Sequence, residues 1–125
     1  MQDCVFCKIV AGEIPCYKVF ENRNFLAFLD IKPQGAGHTL LIPKKHYASV
    51  WDLPAGRQVS PNYNEYFETV RDIYEVLRNK LSPDWIELRI LGMDIPHTHI
   101  HLIPHWNKKS PYNPADFEQI AKLLV

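Results

Sequence analysis

An α+β fold with an antiparallel sheet is what this sequence predicts, on three observations. Five short runs are rich in apolar, aromatic and β-branched residues, and turn-forming residues separate several of them. Two other segments, one long and one at the C-terminus, carry apolar residues at helical spacing. The strand and helix patterns are segregated along the chain, which argues for an α+β domain with short connections between strands.

Taken in order, Val5-Phe6-Cys7-Lys8-Ile9-Val10-Ala11 reads as a short helix stopped by Gly12. Residues 17–21 and 24–29 are apolar and aromatic, with Asn22-Arg23-Asn24 between them, so they read as a hairpin. Asp30 to Gly37 is a loop by its proline and glycine content. His38-Thr39-Leu40-Leu41-Ile42-Pro43 is the third strand, and Tyr47 to Leu53 offers one or two helical turns. Phe67, Val70, Tyr74, Leu77 and Leu81 mark the long helix, with Ser60 as its expected N-cap and Pro61 at its first position. Trp85 to Leu91 alternates as the fourth strand, and residues 97–103 form the fifth. Asn113-Pro114 is expected to cap a final helix whose apolar face is Phe117, Ile120, Ala121 and Leu124.

A chain of 125 residues fits one domain, here residues 1–125, with a proper core. Fourteen basic residues balance fourteen acidic ones, so the net charge gives no electrostatic reason to expect capture of nucleic acid or of an anionic membrane. No apolar run is long enough to span a bilayer, and Met1-Gln2-Asp3-Cys4 lacks the basic and apolar regions of a secretory signal. A cytoplasmic location is the expectation. Cysteines 4, 7 and 16 are odd in number, and two of them form a C-x-x-C pair, which reads as metal or redox chemistry rather than a disulfide framework.

The most telling segment is Pro96-His97-Thr98-His99-Ile100-His101-Leu102-Ile103-Pro104. Alternate residues of a strand share a face, so His97, His99 and His101 should form an imidazole row backed by an apolar row facing the core. Such a row can hold a metal, shuttle protons or attack an electrophile. Cys4 and Cys7 supply half a zinc site. A redox C-x-x-C usually opens a helix after a strand, and no strand precedes this one. A closed zinc site needs four nitrogen or sulfur ligands. The other two are sought at His46 and in one triad member, with His97 preferred because it starts the strand.

Three ordered signatures now stand out. They are Cys4-Val5-Phe6-Cys7-Lys8-Ile9-Val10-Ala11-Gly12-Glu13-Ile14-Pro15, then Phe25 to Ile31 with Gly37 to His46, then the triad His97-Thr98-His99-Ile100-His101-Leu102-Ile103. On these the chain resembles the histidine triad (HIT) family over nearly its whole length. It is most similar to the nucleoside phosphoramidate hydrolase-like branch and to bacterial members with a C-x-x-C zinc site. The resemblance implies a five-stranded antiparallel sheet, a homodimer, purine nucleotide binding and hydrolysis at the α-phosphate. It implies that His99 is the nucleophile, forming a nucleotidyl-histidine, that His101 assists proton transfer, and that His38 supports the histidine network. Asp30 matches the residue that accepts hydrogen bonds from the ribose hydroxyls, and Phe6, Ile9, Phe28 and Ile31 match the walls around the base. Cys4, Cys7, His46 and His97 match the ligands of a structural zinc, with no organic cofactor. Lys44 and Lys45 read as a basic approach to the site, and His105 as a surface residue.

The stretch before the triad departs from the family pattern. Gly92 is retained, but Ile86 stands at an Asn position, Met93 at a Gln position and Asp94 where a small hydroxyl residue is common. Asp94 would repel a phosphate unless turned away or paired, and Arg89 is one candidate partner. Residues 54–62 form a longer loop than the family pattern suggests. Three other readings remain open from sequence: a dinucleoside polyphosphate hydrolase, a nucleotide-binding regulatory protein with little catalysis, and a metallohydrolase using all three triad histidines as ligands.

Overall fold

The computed structural model describes residues 4–92 and 95–125. Its five strands are β1 (Lys18–Glu21), β2 (Phe25–Leu29), β3 (Thr39–Pro43), β4 (Trp85–Ile90) and β5 (Ile100–His105). They form one sheet in the order β1-β2-β3-β5-β4, every neighbouring pair antiparallel. Three helices join it: α1 (Val5–Val10), α2 (Tyr63–Leu81) and α3 (Phe117–Leu124). No helix among the described residues is long and apolar enough to cross a membrane.

The sheet is covered on both faces at β2 and β3, which explains why β2 is apolar throughout and β3 apolar after Thr39. Phe25, Ala27, Leu41, Ile100 and Leu102 point to the main core, where α2 contributes Tyr66, Ile73 and Leu77 and α3 contributes Ile120 and Leu124. Leu26, Phe28, Leu40 and Ile42 point to the opposite face, where Phe6 and Cys4 of the N-terminal segment pack. Burying each such large side chain contributes about 1.5–3 kcal/mol. Tyr66 also donates its hydroxyl to the Leu41 carbonyl at 2.7 Å, tying α2 to the central strand.

The element boundaries differ from expectation in three places, each for a local reason. The long helix is capped by Asn62, not Ser60, and Pro61 lies before its first turn. Asn62 Oδ1 accepts from the Glu65 amide at 2.8 Å, and Glu65 Oε1 accepts from the Asn62 amide at 3.1 Å. Only Asn62 has an acidic partner three residues on, so only it completes the reciprocal box. The fifth strand begins at Ile100 rather than residue 97, because the preceding amides bond outside the ladder: His97 to the Ile95 carbonyl at 2.8 Å and Thr98 to the Tyr47 carbonyl at 2.7 Å. Asn113 forms a turn ahead of α3, accepting from the Ala115 amide at 3.1 Å, while Asp116 holds the cap position without a side-chain bond. The 47–53 segment carries a short 3-10 turn at Val50–Asp52.

Candidate active site

Strand register lays out the floor of the site. Phe28 pairs with Leu40, Leu40 with His101, and His101 with Arg89, so these four side chains form a row across one sheet face. Above this row sits α1, whose Phe6 ring meets His99 edge-on at 5.0 Å and Phe28 at 5.7 Å. His99 in turn meets His101 edge-on at 5.0 Å. The three triad residues therefore keep their common side although two of them precede the strand. Ile100 and Leu102 back them from the main core.

The hydrogen-bond pattern assigns protons. His99 Nδ1 lies 2.9 Å from the His97 carbonyl oxygen. A carbonyl only accepts, so Nδ1 carries the hydrogen and the lone pair of the neutral ring is on Nε2. The Gln34 amide donates to His38 Nδ1 at 3.1 Å, which places the proton of neutral His38 on Nε2. That nitrogen is 2.9 Å from His101 Nδ1 and 3.5 Å from Asp30 Oδ2. His101 Nδ1 thus accepts, and the proton of neutral His101 sits on Nε2. Burial pushes the pKa of His38 down to about 4, with the positive charges His101 and Arg89 would carry adding to it and the Asp30 carboxylate opposing it.

A pocket of ≈ 420 Å³ opens beside His99 and His101, with Phe6, Ile9, Phe28 and Asp30 in its wall. Ile31 also reaches it but stays largely exposed, at 69%, so it forms a rim rather than a wall. The Asp30 Oδ1 atom accepts from the Lys32 amide at 2.9 Å, which orients the carboxylate in its loop. The pocket is mostly apolar with a few polar groups among its lining, the usual make-up of a small-molecule site.

A second cluster lies next to the first. Cys4 caps α1, its Sγ accepting from the Cys7 amide at 3.3 Å, so both sulfurs sit at the start of the helix. Cys4 Sγ and Cys7 Sγ lie 3.3 and 3.4 Å from His97 Nδ1, and His46 Nδ1 lies 3.3 Å from Cys7 Sγ and 3.2 Å from His97 Nδ1. All four donor atoms fall within 4.8 Å of one another. Zinc bond lengths imply tetrahedral edges of roughly 3.3 Å between nitrogens, 3.6 Å between nitrogen and sulfur and 3.8 Å between sulfurs, so the nitrogen–nitrogen and nitrogen–sulfur distances suit that ion. His97 Nε2 donates to the Pro43 carbonyl at 2.8 Å, which turns the lone pair on Nδ1 toward the sulfurs. Burial and the neighbouring Cys4 push the Cys7 thiol up to about 11, as expected of paired sulfurs that need a cation to ionise. Among the described residues, no metal-binding group gathers all three triad histidines.

Other expectations need correction. Lys44 pairs with Glu21 at 2.7 Å and Lys45 lies over the Tyr47 ring, while Lys32 is the lysine that lines the pocket. His105 is half-buried, stacked on Trp85 at 4.1 Å and 2.8 Å from Glu87. Arg89 pairs with Glu87 and Gln34; this does not test the pairing considered for Asp94, because Met93 and Asp94 lie outside the described residues. The sequence reading missed Gln34, because its contribution is a backbone amide that any residue but proline could supply. It also missed Cys16, which lines the pocket and carries no spacing signal.

Comparison with known proteins adds the family. The HIT domain model matches residues 11–108. The chain is 36% identical over 129 residues to an adenosine 5'-monophosphoramidase of Saccharomyces cerevisiae, covering 96% of this chain and 77% of that one. It is 38% identical over 109 residues to an adenylylsulfatase of Arabidopsis thaliana, covering 82% of this chain and 52% of that one. Among solved structures it resembles a zinc-bound histidine triad family protein from Mycobacterium smegmatis, with TM-score 0.81 and 33% identity over 98% of this chain and 91% of that one.

Proposed function

Since this chain belongs to the HIT family, we propose that it is a nucleotide hydrolase that cleaves nucleoside phosphoramidates or related adenylated compounds at the α-phosphate. The observation that carries this reading is the His99 Nδ1 contact with the His97 carbonyl, which puts the lone pair of the neutral ring on Nε2 in a residue that lines the pocket. Nε2 forms a bond to phosphorus as the bond to the leaving amine breaks. The amine takes the proton of His101 Nε2, because an amide anion is a poor leaving group. The negative charge this leaves on the His101 ring is held by the His38 Nε2–H donated to its Nδ1 and by the cationic phosphoryl-His99 beside it, until water restores the proton. Water then attacks phosphorus, returns a proton to His101 and releases His99. His38 orients His101 through the 2.9 Å contact.

The nucleoside is held by Asp30, which accepts from the ribose hydroxyls, and by Phe6, Ile9, Phe28 and Ile31 around the base. Apolar walls give affinity but discriminate weakly between bases. A zinc ion on Cys4, Cys7, His46 and His97, when bound, supplies a cross-link between the N-terminal segment and the triad rather than a reacting group. A reducing, cytoplasmic setting keeps the cysteines available for it. The exposed apolar side chains Leu88 and Ile90 on the edge strand β4 suit a homodimer formed along that edge; sedimentation velocity showing a monomer at micromolar concentration would remove that part.

A second reading, hydrolysis of adenylyl sulfate, is favoured by the similarity to the plant adenylylsulfatase. The two differ in their need for an acid, since sulfate departs without a proton. Steady-state kinetics of wild type, His99→Ala and His101→Ala on both substrates separate them. His99→Ala should bind nucleotide and lose turnover of either substrate. His101→Ala should lose about 10²–10⁴-fold on the phosphoramidate and far less on the sulfate. Full turnover by His99→Ala would overturn the mechanism.

A further inference from the structure

A series of polar contacts runs from the outer strands into the histidine cluster. His105 Nε2 lies 2.8 Å from Glu87 Oε1. The other oxygen of that carboxylate accepts from Arg89 Nε at 2.8 Å and also from Nη2. Arg89 Nη1 donates to Gln34 Oε1 at 3.0 Å. Gln34 then donates its backbone amide to His38 Nδ1 at 3.1 Å, and His38 Nε2 contacts His101 Nδ1 at 2.9 Å.

The chemistry of each group fixes the direction of the last two links. A backbone amide only donates, so His38 Nδ1 accepts and the His38 proton is on Nε2. That proton goes to His101 Nδ1, so the neutral His101 ring carries its own on Nε2. The amide that sets both tautomers belongs to an exposed residue of a loop closed by the Lys32–Asp30 and His38–Gly35 hydrogen bonds, and its side chain can also be held from outside the loop. Arg89 does so from β4, at the register position directly opposite His101.

We propose that Arg89 is a positioning residue: by holding the Gln34 side chain it fixes the Gln34 amide on His38, and so keeps the transferable proton on His101 Nε2. Two other roles for Arg89 fit less well. An anion-binding role would require Nε, Nη1 and Nη2 to leave Glu87 and Gln34. A purely stabilising ion pair with Glu87 would be worth little at such partly exposed positions, and would not need Gln34.

This inference rests on the proposed role of His101 for its kinetic consequence, but not for its structural one. The experiment compares wild type, Arg89→Ala, Gln34→Ala and the double variant by imidazole ¹⁵N chemical shifts and by adenosine phosphoramidate kinetics. Gln34→Ala keeps the amide and alters an exposed side chain, so it remains folded if Arg89→Ala does not. The expected result is that each single variant replaces the single Nε2–H form of His38 by a mixture of tautomers. Each should also lower kcat on the order of tenfold with KM unchanged, and the double should be no worse than either single. Unaltered His38 shifts in Gln34→Ala, or losses that multiply in the double variant, would overturn it. If the shifts change while wild type turns over no nucleotide, the positioning role stands and the hydrolase reading fails.

Discussion

His38 is nearly fully buried, and desolvation holds its pKa near 4 against an ordinary value of 6.5. Its proton count therefore differs between the folded and unfolded chain only between those values. The unfolded chain binds the extra proton there, so stability rises with pH through the window and is lost as pH falls through it. Above 6.5 His38 contributes no slope. Urea unfolding at several pH values across the window should show this loss, and His38→Asn should flatten it; an unchanged slope would mean that His38 is not held neutral. At the same scale, the type and spacing of His97, His99 and His101 were legible in the sequence. Their proton positions were not, because these depend on the His97 carbonyl and the Gln34 amide, which any sequence contains.

The elements show what periodicity can and cannot specify. The central strands were readable because β2 is apolar throughout, β3 is apolar after Thr39 and β5 is dense in Ile, Leu and His. The start of β5 was not, since two amides before it bond to Ile95 and Tyr47 carbonyls instead of a strand. The α2 cap was readable in principle from Asn62 and Glu65, three residues apart, and the preceding Ser60-Pro61 masked it. The loop between β2 and β3 matters more for the site, since it carries Asp30 and Gln34 and ends at His38. Gly37 turns this loop at φ 80°, and a Cβ there would sit 2.5 Å from Leu81 Cδ1. Gly37→Ala should therefore cost roughly 1–3 kcal/mol, from both the left-handed backbone and the overlap, read as a lower urea midpoint. A change below a few tenths of a kcal/mol would show that the loop and the end of α2 yield freely.

For the whole molecule, the α1 segment packs outside the main core. It packs through Phe6 and Cys4 on the smaller apolar cluster, and the Cys4, Cys7, His46 and His97 set joins it to the end of β3 and to the triad. Removing metal by chelation, or Cys7→Ser, should lower the melting temperature by more than about 5 °C while the chain keeps its sheet by circular dichroism. Equal melting curves with and without metal would show that no ion contributes to the fold. Sequence proximity revealed only the Cys4–Cys7 half of this set. Its completion by His46 and His97 depended on sheet pairing that brings residues more than fifty positions apart together. The central claim is the direct attack by His99. Rapid quenching of the protein with adenosine phosphoramidate, followed by peptide mass spectrometry under neutral or basic conditions, tests it. An adenylyl group on His99, absent in His99→Ala, is the predicted result; substrate turnover with no adenylate on His99, or with adenylate on another histidine, would contradict it.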